Sequence, residues 1–344
     1  MNAIMSNPRW KQRPARSNWG DFGADDQLGR LNLITPEVVL KGIAEVKLGH
    51  SFCLSLPLEL PGGNALNPRR HPPRLRPTER DGRPVYNFRL NLTSPGATDV
   101  VCDDAVLLHT QYSTQWDSLA HVGQLFDIDG TGVPAPAYYN GYRPGIDITG
   151  PDDAEGRAPG AHALGIQNMA VKAIQSRGML LDLHALCGPK RQNVGYELLM
   201  RSVEQAGVEP EARDILCLYT GFADVLMEMK GHPTHEALEQ SCAVLDGRDE
   251  KLQNWIVDSG IAALCADNYA VEGVPASAGC VPCALLPLHE LCLFGHGIPL
   301  GELWYLGELA AALRAEGRSR FLLTAPPLRL TGAVGSPVTP VATI

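Results

Sequence analysis

Several things are missing from this sequence, and each absence removes a class of function. No apolar run among the 344 residues is long enough to cross a bilayer. The opening "MNAIMSNPRWKQRPARSNWG" carries charge and proline but no apolar stretch of signal-peptide length, so a cytoplasmic protein with no membrane partner is expected. Positive charge is in deficit. With 29 Lys and Arg against 38 Asp and Glu the net charge is -9, which repels nucleic acid over most of the surface, so no nucleic-acid partner is expected. No G-x-S-x-G marks a serine nucleophile, and no glycine-rich phosphate loop follows a strand, so nucleotide cofactors are not expected. The cysteines give no disulfide framework: there are nine, an odd number, in apolar contexts such as "DILCLYT", which suits reduced, buried thiols. One C-x-x-C, Cys280 to Cys283, has no second pair to complete a four-cysteine zinc site.

What remains is a globular chain, 44% hydrophobic, able to bury a sizeable core. In "LITPEVVLKGIAEVKLGH", Thr35 as N-cap and Pro36 at the first helical position predict a helix over 36–46. "SFCLSLPLEL" and "VYNFRLNLT" alternate apolar and polar positions and read as strands. The stretch between them, rich in Pro and Arg, reads as an exposed flap. "DDAVLLHTQYST" reads as a strand with His109, Gln111 and Ser113 on one face. A helix from about Trp116 would then stack Asp117 under His121.

Further on, "ALGIQNMAVKAIQSRG" predicts a helix stopped by Gly178. "MLLDLHAL", "DILCLYTGF" and "IAALCADNY" have the length of buried strands. "GYELLMRSVEQAG" and "CALLPLHELCLFG" have helical periodicity, so strands and helices alternate through the second half. The fold class is therefore α/β with a mixed sheet. We divide the chain into an N-terminal arm (1–17), one domain (18–330) and a proline-rich C-terminal tail (331–344).

The chemistry sits in "TQYSTQWDSLAHV". It sets Asp117 four residues before His121, and Gln111 four before Gln115, like a metal-binding string in which two ligands have become amides. Alone, Asp117 and His121 at this spacing are a common coincidence and read first as a capping aspartate and a satisfied histidine. "PLHELCLFGHGIPLGELWYL" adds His289 and Glu302, with His296 between them, so two distant segments offer two imidazoles and two carboxylates.

These residues carry a resemblance. "QYSTQWDSLAH" aligns with H-x-G-T-H-x-D-x-x-x-H, the short signature of the putative cyclase family of metal-dependent hydrolases, which includes kynurenine formamidase, isatin hydrolase and a trans-dienelactone hydrolase. "NWGDFGADDQLGRLNLITPEVV", "YYNGY", "SRGMLLDL", "DILCLYTGF", "ADNYAVEGVP" and "LHELCLFGHGIPLGE" resemble the family's longer branch, in the same order along the chain. The resemblance implies a layered β/β/α fold of the swivelling type, a homo-oligomer (dimer or tetramer), and Asp117, His121, His289 and Glu302 as metal ligands. The departure is at Gln111 and Gln115, where the short signature has histidines; an amide oxygen is a weaker donor than imidazole. One divalent ion, zinc or manganese, is therefore expected rather than two.

The expected activity is hydrolysis at a carbonyl carbon of a small cyclic amide, lactone or N-acyl substrate, by a water whose pKa the metal lowers. Gln111 and Gln115 would orient substrate or water, and a carboxylate or His289 would move the proton. A metal-dependent lyase or cyclase, and a non-catalytic binding protein, stay open as alternatives. His109 reads as a partner of the site or a surface histidine, and His162, His184 and His296 as structural. Trp116, Tyr139 and Tyr142 fit a pocket wall or the core; Arg69, Arg70, Arg74 and Arg76 a carboxylate lure or a solvated loop; Asp182 and Asp267 a loop cap or the rim of the site.

Overall fold

The computed structural model describes residues 9–153, 156, 158–279 and 281–344. Cys280, one half of the C-x-x-C, and residues 1–8 of the arm lie outside them. Nine strands form the main sheet: β1 (Ser51–Cys53), β2 (Gln115–Asp117), β3 (Gln175–Asp182), β4 (Ile215–Tyr219), β5 (Ala263–Ala266), β6 (Leu300–Glu302), β7 (Arg320–Thr324), β8 (Gly335–Pro337) and β9 (Val341–Thr343). Their spatial order is β1-β9-β7-β3-β4-β5-β6-β2-β8. The central β3, β4, β5 and β6 are parallel, and every pair outside them is antiparallel. This is the mixed α/β architecture expected from the alternating second half.

Period-two side-chain alternation sets two of the three described cores on opposite faces of the sheet. Met179 and Leu181, Leu216 and Leu218, Leu264 and Ala266 point into one. Their neighbours Leu180, Ile215, Cys217, Ala263 and Cys265 point into the other. Strands buried on both faces read as continuous apolar runs, which is why "ILCLY" and "ALCA" show no alternation. Each fully buried Leu or Ile contributes about 1.5–3 kcal/mol. Among the described residues no helix is long and apolar enough to cross a membrane.

Four local expectations are corrected. The predicted strand through His109 to Ser113 ends at Leu107, and only Asp104–Leu107 pairs there, with the flap strand Arg74–Pro77. The helix predicted from Trp116 is instead β2 followed by a turn, closed by His121 N–H donating to Ser118 O at 3.0 Å. Gly178 does not stop a helix. That helix ends at Lys172, Ala173 takes the left-handed conformation, and Gly178 lies inside β3, where a Cβ would meet the Phe321 ring at 2.5 Å. The segment read as a proline-rich tail supplies β8 and β9. In contrast, the helix at 36–46 appears as Pro36–Ile43, the flap is exposed, and Tyr196–Ala206 is helical.

Candidate metal centre

β2 and β6 place the site. Trp116 points into the core behind the sheet, where it packs edge-to-face on Trp304 with centroids 5.1 Å apart, and its Nε1 donates to Ala325 O at 2.8 Å. Alternation therefore turns Gln115 and Asp117 to the opposite face. The register sets Glu302 across from Gln115, and Gln115 Nε2 donates to Glu302 Oε2 at 2.8 Å. On the other flank Gly335 lies across from Asp117. A Cβ there would strike the Gln111 side chain at 2.5 Å, so glycine leaves the room through which Gln111 Nε2 donates to Asp117 Oδ1. The turn after β2 brings His121 back toward Asp117, giving the proximity expected of a helix by a different route.

His289 arrives from the short helix Pro287–His289, which runs on into a π-turn, Glu290–Gly295. Glu272, fully buried, holds it. The Glu272 carboxylate accepts from the N–H groups of Leu288 and His289, capping the start of that helix, and from His289 Nδ1 at 2.8 Å. Ala270 and Val271, both left-handed at φ 73° and 59°, make the reversal that delivers Glu272. Side-chained residues in that conformation cost roughly 1–2 kcal/mol each.

With Nδ1 committed, His289 Nε2 faces the site. Asp117, His121 and His289 each offer a ligand atom, and these atoms lie within 4.8 Å of one another. Glu302 stands beside that set: its Oε1 is 3.2 Å from His289 Nε2 but off hydrogen-bond alignment. Three buried oxygens, Gln115 Oε1, Asp117 Oδ2 and Glu302 Oε1, have no hydrogen-bond partner among the described residues. Leaving such an atom unsatisfied costs about 1–3 kcal/mol. Burial pushes the Asp117 carboxyl above its ordinary range, and Glu302 adds to the rise while the two histidines oppose it. Burial opposes charge on His289, yet the bond to Glu272 and the carboxylates of Glu302 and Asp117 outweigh it and push the imidazole up to about 10. Orphaned carboxylate oxygens beside two imidazoles fit a divalent ion.

The remaining predicted residues lie apart. His109 is exposed, its ring 5.5 Å from that of His71. His162 meets Thr149, His184 meets Thr220 O, and buried His296 has its pKa lowered to about 4 by desolvation. Tyr139 and Tyr142 are core residues whose hydroxyls donate to Asp26 and Asp25 O. Arg69, Arg74 and Arg76 are exposed, whereas Arg70 donates to Gln111 O at 2.5 Å. Asp182 caps the helix Leu183–Cys187 and pairs with Arg314. Asp267 accepts from Thr220 and Gly221, a loop cap rather than a rim residue. Sequence reasoning missed Glu272, although the quoted "ADNYAVEGVP" contains it.

Val122, Gly123, Gln124 and Leu125, which follow His121 in the chain, line a cavity of about 710 Å³ together with Pro287 and Glu290. A sequence profile of the family described as putative cyclase matches residues 46–273, well over half of the chain. The chain belongs to the putative cyclase family. The matched span holds β2, His121 and Glu272; His289 and Glu302 follow it. A crystal structure of a novel cyclase is similar over 95% of this chain and 99% of that one, at 28% identity and TM-score 0.75. Isatin hydrolase A from Labrenzia aggregata, bound to benzyl benzoate, shares the fold over 89% of this chain and 97% of its own, at 13% identity and TM-score 0.54. An isatin hydrolase bound to the product analogue thioisatinate is similar over 90% and 99%, at 13% identity and TM-score 0.52. No curated protein matches the sequence.

Proposed function

We propose that this cyclase-family protein is a metal-dependent hydrolase acting at the carbonyl carbon of a small cyclic amide, lactone or N-acyl compound. The observation that carries the reading is the set of orphaned, buried oxygens facing His121 and a His289 whose ring is fixed by Glu272. A zinc or manganese ion held by Asp117, His121 and His289, with Glu302 alongside, supplies Lewis-acid polarisation and a water of lowered pKa.

The chain's own groups have separable roles. Glu272 keeps the His289 Nδ1 proton, so that Nε2 is the atom presented to the centre. Glu302 Oε1, unpartnered and beside His289, receives a proton from the attacking water and returns it to the leaving atom. The Gln111 and Gln115 amide nitrogens are engaged by Asp117 and Glu302, which orients both acids. Gln115 Oε1 stays available as an acceptor for a substrate N–H or O–H. Substrate approaches from the cavity lined by Val122 and Pro287, the chain neighbours of His121 and His289, whose size is that of ordinary small-molecule sites.

The reading includes one catalytic domain that runs on from residue 18 past 330 through β8 and β9, a cytoplasmic setting and a homo-oligomer. Exposed apolar side chains on the flap and its partner strands, Leu75, Val100 and Leu107 among them, support the last. A panel of lactones, imides and formamides, run with and without a chelator in heavy-oxygen water, tests the chemistry. Chelator-sensitive turnover that places the label in the acid product is expected. Turnover with unlabelled product would make the protein a lyase or cyclase, and chelator-insensitive turnover would end the metal mechanism.

A further inference from the structure

A second cavity, of about 500 Å³, shares no lining residue with the metal centre. Leu66, Phe222, Leu238 and Val244 give it an apolar wall. Arg191 stands in that wall, half-buried, and its guanidinium makes no hydrogen bond or ion pair among the described residues. Two other arginines that are largely withdrawn from solvent are paired, Arg177 with Asp214 and Glu211 and Arg143 with Asp129. Burial lowers the pKa of Arg191, as it does for a cation stripped of water, and the weaker attraction of Cys242 and Glu239 does not offset it. Glu239, the only carboxylate among the described residues that line the cavity, is turned to His235 at 3.1 Å on the exposed rim. Asn268 lines the same wall; its Nδ2 donates to Ala243 O at 3.0 Å, while its buried Oδ1 has no partner among the described residues.

We propose that this cavity binds a small amphipathic carboxylate, its anionic end on the Arg191 guanidinium and its apolar body against Phe222 and Val244. A planar guanidinium matches a carboxylate through two parallel N–H donors. One unpaired positive charge, with Glu239 at the rim, suits a monoanion better than a phosphate dianion. The surrounding volume accepts a bicyclic body. The wall also adjoins the segment that holds His289. Arg191 Nη2 lies 3.8 Å, and Asn193 Oδ1 3.6 Å, from the position a Cβ would take on Gly273, the residue after Glu272. The site stands without the metal reading, since no ligand of that centre takes part.

The test is calorimetric titration of the full chain, pretreated with chelator, with 2-naphthoate and its neutral isostere 2-naphthamide. Naphthoate is expected to bind at least about tenfold more tightly, the margin of a charge-assisted bidentate contact. Arg191→Gln removes the preference, Ala65→Trp fills the cavity and weakens both probes, and Asp117→Asn leaves the preference intact. Equal binding of the two probes, binding of neither, or a preference that survives Arg191→Gln overturns the proposal. A preference lost in Asp117→Asn would assign the probe to the metal centre and overturn it equally. If Arg191→Gln does not fold by circular dichroism, Ala65→Trp decides: naphthoate affinity unchanged by that variant contradicts the site.

Discussion

Glu272 Oε1 and His289 Nδ1 lie 2.8 Å apart, both buried, and the same carboxylate caps the helix that carries the histidine. One side chain thus fixes the ring's position, its rotation and its protonated nitrogen. Glu272→Gln keeps the shape but presents a neutral acceptor or, flipped, a second donor. Divalent-ion affinity is expected to fall about 10–100-fold, the usual cost of losing such a partner. Competition against a chromophoric chelator measures it, and an unchanged affinity would show that Glu272 serves the helix alone.

Gln115 offers a different test, because its amide closes the pair of acids rather than the histidine. Gln115→Leu leaves Glu302 Oε2 without its donor in a buried site. A loss of about 1–3 kcal/mol in unfolding free energy is expected for the ion-free protein. Denaturant titration reads this directly. A variant as stable as the parent would mean that the Gln115 amide does not hold Glu302.

How much of this could be read from the sequence follows from how local each signal is. The parallel core was legible because strands buried on both faces must be apolar throughout, as "ILCLY" is. The Asp117 and His121 spacing was legible too, but its cause was not. A strand ending in a tight turn returns the chain over four residues much as a helix does, and Trp116 could belong to either. The roles of Gly335 and Glu272 left no local trace. Gly335 matters only once β8 has paired across from Asp117, and Glu272 only once a reversal at Ala270 and Val271 has aimed it at a helix that begins 15 residues later. The segment read as a tail misled because its prolines sit at strand ends and edges, where a missing N–H is tolerated.

Behind the site, Gly301 faces Trp116 across the β6–β2 pair, and a Cβ there would lie 2.8 Å from both Cys265 Sγ and Trp304 Nε1. Gly301→Ala therefore overpacks the core under Glu302. A loss of about 1–3 kcal/mol is expected, seen as a lowered unfolding midpoint, together with weaker ion binding because β6 must shift. A stable variant with full ion affinity would show that the tryptophan pair does not position the site.

Acid stability has its own determinant. Glu211 is hydrogen-bonded by Arg177 and Lys41 and lies beside Arg320, and its pKa is lowered to about 2, chiefly by the Arg177 bond. The folded value lies below the ordinary 4.5, so the stabilisation is present above that pH and is lost as pH falls through about 2. Glu211→Gln is expected to lower the thermal midpoint at neutral pH, with the gap from the parent closing as pH falls toward that value. A gap that is constant with pH would remove the ion-pair explanation. Its size will be modest, because Glu211 is well exposed to solvent screening.

We propose that Asp117, His121 and His289 converge on one cation. Elemental analysis of protein purified without added metal, beside the Asp117→Asn and His121→Ala variants, tests it most directly. The expected result is close to one equivalent of zinc or manganese in the parent and a large loss in both variants with the fold retained. An ion-free parent that takes up neither zinc nor manganese on addition, or variants that hold as much ion as the parent, would contradict it.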